Sequence, residues 1–180
     1  MELYFVTGNA NKFKEVQEIF KPLALKRLDQ EVDEIQSMEL KKVGEAKAKS
    51  AYALIKKPVF VEDVSLEIKA LNNFPGPFIK WIHQTIDNKG LLKLMQNEEN
   101  RDAVAKAIVC LYDGKKMKSF LGEIKGTIAY EEKGTEGWGF DPIFIPNGQE
   151  KTIAELGYDW KNKHSHRYKT HIALKNYIKG

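Results

Sequence analysis

Two adjacent carboxylates follow a short apolar run in the middle of the sequence. The run Val59-Phe60-Val61 is typical of a buried strand, and Glu62 and Asp63 come directly after it. Neighbouring residues on a strand point to opposite faces, so we expect one carboxylate to line a cleft and the other to be exposed or braced. Together with Glu34, from an acidic stretch, they supply material for a magnesium site, because Mg²⁺ binds one or two carboxylates alongside substrate phosphates. An ordinary acidic surface loop remains the alternative.

A loop suited to an anion lies near the first residue of the sequence. Thr7, Gly8 and Asn9 follow the β-rich run 2–7 and precede a helical pattern. Backbone N–H groups and the positive end of a helix dipole favour phosphate at such a place, and Lys12 adds a point charge. Asn9 is equally suited to be an ordinary helix N-cap, so this alternative stays open.

Two aromatic residues separated by a glycine form the third candidate. Trp138, Gly139 and Phe140 offer flat ring faces on a backbone that can bend, which suits stacking on a nucleobase. Asp141, the next residue, can accept hydrogen bonds beside such a base. The alternative is a buried turn filled by aromatic side chains.

A group of cationic residues near the last helix forms the fourth candidate. Ser165 is placed to cap that helix, with His166 and Arg167 in its first turn and Lys161 shortly before it. Positive side chains at a helix start oppose the helix dipole. This local conflict favours a ligand that carries hydrogen-bond acceptors.

Strands and helices alternate along the chain, which predicts an α/β fold with a mixed sheet. The pattern predicts helices near 13–20, 38–56 and from Ser165 onwards, two short helices ending near Met95, and strands at 2–7, 59–61 and 124–131, with a short apolar piece at 143–145. Asp113-Gly114 predicts a tight antiparallel hairpin between 103–112 and 116–123. Because the early strand–helix units suit parallel pairing, the sheet is expected to be mixed.

Composition restricts the class of protein further. A chain of 180 residues with 42% hydrophobic and 30% charged residues is expected to fold as one domain, residues 1–180. Its apolar runs are far shorter than the roughly 18 residues of a membrane-spanning helix. We expect no signal peptide, and the single cysteine, Cys110, suits a reducing compartment, so we expect a cytoplasmic location. The net charge of +4 is concentrated in the last twenty residues, which suits either an anionic partner or a solvated helix face.

The candidate segments, in this order, resemble one family, the inosine triphosphate pyrophosphatases, also called Ham1-like. The motifs that carry the resemblance are Thr7–Lys12, Glu62-Asp63, Phe74–Pro77, Trp138–Pro142 and Ser165–Arg167. The resemblance covers nearly the whole chain. It implies Mg²⁺-dependent hydrolysis of ITP, dITP and XTP to the monophosphate and pyrophosphate, usually by a homodimer. It also implies an elongated mixed sheet with flanking helices in two lobes and a substrate cleft between the lobes.

The resemblance also implies roles for individual residues. Asp63 and Lys12 match the family's catalytic positions, and Glu34 and Asp63 match its metal ligands. The positions that match its phosphate-binding residues are Thr7, Gly8, Asn9, Lys12, Lys47 and Lys161. The positions that match its base-binding residues are Trp138, Gly139, Phe140, Asp141, His166 and Arg167.

One segment departs from the family's pattern. Val64 and Ser65 stand where the family has a Ser or Thr followed by Gly, so the matched substrate-binding position, Val64, lacks a hydroxyl. A noncatalytic nucleotide or RNA binder on the same fold is therefore an alternative, as is a Maf-like nucleotide pyrophosphatase. Against a binder, carboxylates without a metal would repel an anionic ligand. We expect a nucleotide as partner, and neither a membrane nor a nucleic acid.

Overall fold

The computed structural model describes residues 3–180 and confirms the mixed α/β fold. The seven strands are β1 (Tyr4–Val6), β2 (Lys26–Leu28), β3 (Val59–Ile68), β4 (Pro75–Gly76), β5 (Asp102–Tyr112), β6 (Met117–Ile128) and β7 (Phe144–Pro146). The helices are α1 (Ala10–Phe20), α2 (Leu40–Ile55), α3 (Ile79–Thr85), α4 (Asp87–Leu94), α5 (Ile153–His164) and α6 (His166–Lys179), with single 3₁₀ turns at Lys69–Leu71 and Asp141–Ile143. Glu2, the first residue of the first predicted strand, lies outside the described residues.

The sheet contains both parallel and antiparallel pairs. The strands are hydrogen-bonded in the order β2-β1-β3-β5-β6-β7, and β4 pairs with β3. The short strand β1 is parallel to β2 and β3, whereas β3 with β4 and β6 with β7 are antiparallel. The predicted hairpin between β5 and β6 is confirmed, with Gly114 at φ 94° in its turn. Asp113 Oδ1 accepts hydrogen bonds from the backbone N–H groups of Lys115 and Lys116, both at 2.7 Å.

Two predicted strands are corrected, and one helix was missed. Strand β3 does not end at the carboxylates but continues to Ile68, because the apolar residues Leu66 and Ile68 are buried beyond them. The predicted strand 124–131 is not separate, since β6 continues to Ile128. Helix α5 was not predicted. Its backbone breaks at Gly157, with φ 80°, and that interruption hides the helical period.

The chain divides into two compact units. The first unit contains residues 3–63, Ala107–Gly122 and Arg167–Gly180, and the second contains Val64–Lys106 and Glu123–His166. None of the helices in the part of the chain that the structure describes is long and apolar enough to cross a membrane.

Side chains on the two faces of β3 build two cores in the first unit. On one face, Phe60 stacks on Phe5 with ring centroids 4.6 Å apart, and the buried side chains of α1 pack around them. On the other face, Val59 and Val61 pack against the buried alanines of α2. This alternation along β3 fixes the faces on which the two carboxylates that follow must lie.

The second unit has a single core. Leu66 and Ile68 of β3, the buried residues of α3 and α4, and Phe140 and Phe144 pack together there. Phe140, one of the two predicted base-stacking rings, is thus a member of this core.

Candidate functional site

Alternation along β3 places Glu62 and Asp63 on opposite faces of the strand. Glu62 lies on the face of Phe60 and contacts residues of α1 and α6, whereas Asp63 lies on the face of Val61 and contacts α2. The side chain of Glu62 has no exposed surface, and that of Asp63 is 14% exposed. Glu62 is therefore the braced carboxylate of the pair, and Asp63 is the one that a ligand can reach.

Glu62 is the acceptor for four side-chain contacts. Arg167 donates from Nε to Oε2 at 2.8 Å and from Nη2 to Oε1 at 2.9 Å, and His171 Nε2 lies 2.8 Å from Oε2. Lys12 Nζ lies farther away, 3.3 Å from Oε1. Arg167 Nη1 also donates to Glu15 Oε2 at 2.6 Å. We call these five residues, Lys12, Glu15, Glu62, Arg167 and His171, the buried network.

The charges of the buried network determine its protonation states. Burial would raise the pKa of Glu62, but Arg167 and Lys12 outweigh it and hold this pKa well below 4.5. Burial also acts against the charge of Arg167, yet Glu62 and Glu15 raise its pKa. For Lys12, burial outweighs the attraction of Glu62 and lowers the pKa. Glu62 and Arg167 are thus a fixed ion pair, and Lys12 is the cation held least tightly.

On the opposite face, Lys47 of α2 joins two carboxylates. Its Nζ lies 3.0 Å from Asp63 Oδ1 and also contacts Glu34 Oε1. Burial acts to lower the pKa of Lys47, but Asp63 and Glu34 together raise it. Burial raises the pKa of Asp63 despite the attraction of Lys47, and the negative charge of Glu34 adds to the rise. The two carboxylates therefore raise the pKa of Lys47 against the effect of burial, whereas burial is the main cause of the raised pKa of Asp63.

The donor set around Asp63 fits a magnesium ion. Asp63 Oδ2 is buried and accepts no hydrogen bond from any residue that the structure describes. Glu34 and Asp63 both contact the ammonium group of Lys47, so the two predicted metal ligands lie close together. Residues 3–180 contain no group of three or more His, Cys, Asp or Glu side chains that could hold a metal by themselves. Two carboxylates completed by substrate phosphate oxygens are what Mg²⁺ prefers.

The loop before α1 is held in place by capping contacts. Asn9 Oδ1 accepts from the N–H groups of Asn11 and Lys12 at 2.9 and 3.1 Å, and the N–H of Asn9 donates to Thr7 Oγ1 at 3.1 Å. The predicted anion site assumed that these N–H groups were free, and the N-cap occupies them. Arg27 donates to the carbonyls of Thr7 and Gly8 and fixes the loop from β2.

Two predicted site residues of the second unit, Trp138 and Lys161, meet at Asp141. Its Oδ2 accepts from the N–H of Trp138 at 2.8 Å and from Lys161 Nζ at 2.6 Å. Lys161 Nζ also lies 4.8 Å from the centre of the Trp138 ring, a cation–π distance. Lys161, which we expected beside the triphosphate, is 2% exposed and is placed with the base-binding candidates.

Phe140 is part of the core of the second unit. It is 5% exposed, and the rings of His83 and His166 lie 6.4 and 5.6 Å from its ring. Gly139 is held by Asn88, whose amide donates to its carbonyl at 2.9 Å. Of the two predicted stacking rings, Trp138 is the more accessible.

The departure from the family's pattern after Asp63 leaves no substitute hydroxyl. Val64 is half-buried and packs against the core of the second unit. Ser65 is fully buried, and its hydroxyl has no hydrogen-bond partner among the described residues. Ser65 therefore does not replace the missing hydroxyl of position 64 at an exposed surface.

The predicted site residues fall into two groups. The first unit contains Thr7, Gly8, Asn9, Lys12, Glu34, Lys47, Asp63 and Arg167, and the second contains Val64, Trp138, Gly139, Phe140, Asp141, Lys161 and His166. Arg167, expected beside the base, is buried with its guanidinium on Glu62 and Glu15. Sequence reasoning missed Glu15, Arg27 and His171. Only the spacing of Glu15, three residues after Lys12 on one helix face, was a usable signal.

Comparison with known proteins identifies similar chains. The model of the Ham1 family matches residues 3–177. A dITP/XTP pyrophosphatase of Methanopyrus kandleri is 42% identical over 172 residues, which are 94% of this chain and 92% of that protein. One of Saccharolobus solfataricus is 39% identical over 175 residues, 96% of this chain and 91% of that protein. Among solved structures, a HAM1 protein from Coxiella burnetii has a TM-score of 0.87 at 25% identity, covering 99% of both chains.

Proposed function

Because the chain belongs to the Ham1 family, we propose that it hydrolyses the non-standard purine nucleotides ITP, dITP and XTP to monophosphate and pyrophosphate. The chain is an enzyme, a nucleoside-triphosphate pyrophosphatase, which confirms the enzymatic interpretation of the sequence. The observation that carries the proposal is Asp63, a partly exposed carboxylate next to the ammonium group of Lys47, whose Oδ2 accepts no hydrogen bond from the described residues.

Asp63 is the residue we assign to water activation. In the reaction, a water oxygen bonds to the α-phosphorus, the α–β anhydride bond breaks, and pyrophosphate leaves. Asp63 Oδ2 accepts no hydrogen bond from the described residues, and we assign to it the proton that the attacking water gives up. A positioned general base contributes about 10² to 10⁴ in rate.

Cations of the first unit neutralise the polyphosphate. A nucleoside triphosphate carries about four negative charges, which must be stabilised as pyrophosphate leaves. Lys12 and Lys47 supply ammonium groups to the phosphates. We propose that Glu34 and Asp63 hold Mg²⁺, which supplies positive charge to the phosphate oxygens when it is bound.

Residues of the second unit recognise the base. Trp138 provides the ring face for stacking, and Lys161, fixed by Asp141, provides a donor beside that ring. Hypoxanthine and xanthine carry a carbonyl at position six, which accepts from such a donor, whereas adenine carries an amine and leaves it unpaired. Guanine shares the carbonyl, so it must be rejected at its two-amino group.

The oligomeric state, the cellular location and the biological role are also proposed. We propose a homodimer that works in the cytoplasm and removes non-standard purines from the nucleotide pool. The family resemblance supports the dimer, and the buried free thiol of Cys110 suits a reducing compartment. Size-exclusion chromatography with light scattering tests the dimer.

A substrate panel tests the proposed activity. Pyrophosphate release is measured from ITP, dITP, XTP, ATP, GTP and modified pyrimidine triphosphates, with magnesium chloride or with EDTA. We expect kcat/KM for ITP and XTP to exceed that for ATP by at least about 100-fold, and EDTA to abolish release. Equal turnover of ATP and ITP would refute the base preference, and preference for modified pyrimidines would favour the Maf-like alternative. Asp159→Asn, at an exposed position, is the matched control for Asp63 variants.

A further inference from the structure

His171 is a buried histidine that touches no surface. It lies on α6 with no exposed area, and the rings of Phe5, Phe20 and Phe60 surround it at 5.9, 6.1 and 5.9 Å. All three ring contacts are edge-on, and the imidazole Nε2 lies 2.8 Å from Glu62 Oε2. An imidazole in such a place cannot meet a substrate, so any effect on the reaction passes through Glu62.

The hydrogen-bond partners define the state of this imidazole. Burial lowers the pKa of His171, although Glu62 opposes the shift, and the neutral ring is the form that results. The ionised carboxylate of Glu62 can only accept, so the proton lies on Nε2. His171 Nδ1 has no hydrogen-bond partner within the described residues. His171 is therefore a single, uncharged donor aimed at one carboxylate oxygen.

Charge explains why an uncharged donor suits this position. The buried network already contains two anions, Glu15 and Glu62, and two cations, Lys12 and Arg167. A third cation in this buried place would have no counter-charge. A neutral N–H adds a hydrogen bond to Glu62 without disturbing that balance.

Lys12 is the partner that Glu62 holds least tightly. Arg167 and His171 lie 2.8 to 2.9 Å from the carboxylate oxygens, whereas Lys12 Nζ lies at 3.3 Å. Lys12 Nζ also donates to the backbone carbonyl of Glu62 at 3.3 Å. Both contacts of Lys12 are long for hydrogen bonds. If Lys12 turns toward a phosphate, Arg167 and His171 still satisfy both oxygens of the buried carboxylate.

We propose that His171 is a positioning residue, which together with Arg167 satisfies Glu62 so that the ammonium of Lys12 is available to the phosphates of the substrate. This inference rests on the phosphate-binding role of Lys12 in the proposed function. Without the donor of His171, Glu62 draws Lys12 closer, and the substrate must compete with a buried carboxylate for the same cation.

Substitutions at position 171 separate this role from packing. His171→Leu keeps an apolar side chain in the aromatic cage and removes the donor. His171→Gln restores an N–H for Glu62, and its amide oxygen takes the place of the unpartnered Nδ1. We expect His171→Leu to raise KM for ITP about tenfold with kcat within about twofold, equivalent to about 1.4 kcal/mol for one hydrogen bond to a charged group. His171→Gln should return KM to within about twofold of the unsubstituted protein.

A double substitution shows whether Lys12 carries the effect. Adding His171→Leu to Lys12→Gln should raise KM no further, because the cation that His171 releases is already absent. Lys14→Gln, an exposed position on the same helix, is the control, and there His171→Leu should still raise KM about tenfold. An equal rise of KM in the Leu and Gln variants, or a fall in kcat alone, would overturn the inference.

Binding of inorganic tripolyphosphate tests the role of His171 independently of the proposed activity. Calorimetry with magnesium chloride measures affinity for the phosphate chain without a base and without turnover. We expect tripolyphosphate to bind about tenfold more weakly to the Leu variant and normally to the Gln variant. If no nucleotide is hydrolysed but this pattern holds, the proposed function fails and the role of His171 stands. If ITP is hydrolysed and the pattern is absent, the role of His171 fails. Circular dichroism checks that each variant is folded. If His171→Leu does not fold, His171→Gln and His171→Asn are compared in the same binding measurement.

Discussion

Replacing Glu62 with glutamine removes the charge at the centre of the buried network. Glu62→Gln keeps the size of the side chain but replaces one acceptor oxygen with an NH₂ group. Glu15, the ion-pair partner of Arg167, is then the one anion left in the buried network. Each oxygen of Glu62 has two donor contacts in the native protein. The NH₂ group of the glutamine therefore faces a donor in either orientation of the amide.

The expected loss follows from the burial of these charges. Removing one partner of a buried ion pair costs about 3 to 5 kcal/mol, because the other charge stays buried without compensation. A suitable control lies on the same strand, where Glu67 pairs with Lys106 at 2.7 Å and the side chains are 18% and 24% exposed. A pair that solvent reaches contributes about 1 kcal/mol or less. Glu62→Gln should therefore destabilise the protein by at least about 2 kcal/mol more than Glu67→Gln.

Urea unfolding followed by circular dichroism measures both variants against the unsubstituted protein. The free energy of unfolding is compared only where the slope with urea is unchanged, since a changed slope signals a different unfolded or native state. If Glu62→Gln lost no more stability than Glu67→Gln, the buried network would not be the stabilising centre of the first unit, and the reasoning would be wrong.

Three further outcomes follow from individual side chains. Burial holds the pKa of folded His171 below 6.5, so the unfolded chain binds more protons than the folded protein as pH falls below that value. Stability should therefore be full above pH 6.5 and decline below it by at most about 1.4 kcal/mol per pH unit, and urea titrations at several pH values should show a smaller decline in His171→Gln. Ser65→Ala should raise the free energy of unfolding by about 1 kcal/mol, because the buried hydroxyl has no partner among the described residues, and a loss of stability on thermal unfolding would contradict this. Trp138→Ala should raise KM for ITP about tenfold while affinity for inorganic tripolyphosphate stays unchanged; weakening of both would argue against a base-stacking role.

Local patterns predicted much of the fold. The helical spacing of apolar residues predicted α1 and α2, and Asp113-Gly114 predicted the turn between β5 and β6. The short, charged strand β2 gave no apolar signal, and Gly157 obscured α5. Strand β3 was predicted too short, because carboxylates in the middle of a strand resemble the start of a loop.

The site was predictable in its residue types and less so in its contacts. Alternation along a strand predicted that one of Glu62 and Asp63 would be braced, and Glu62 is. That the brace is Arg167, 105 residues away, depends on packing that no local pattern reports. The same limit explains Phe140, since an aromatic residue beside glycine fits both an exposed stacking ring and a buried core ring.

We propose that Asp63 activates the attacking water, while Lys12, Lys47 and the base-binding residues supply most of the affinity for the nucleotide. Asp63→Asn keeps the size of the side chain and removes the base, and Asp159→Asn makes the same change at an exposed position. Pyrophosphate release and ITP binding are measured for both variants in the presence of magnesium chloride. We predict that Asp63→Asn loses at least about 100-fold in kcat, while its affinity for ITP and the activity of the control stay within about threefold. Near-normal turnover in Asp63→Asn would show that another group activates the water.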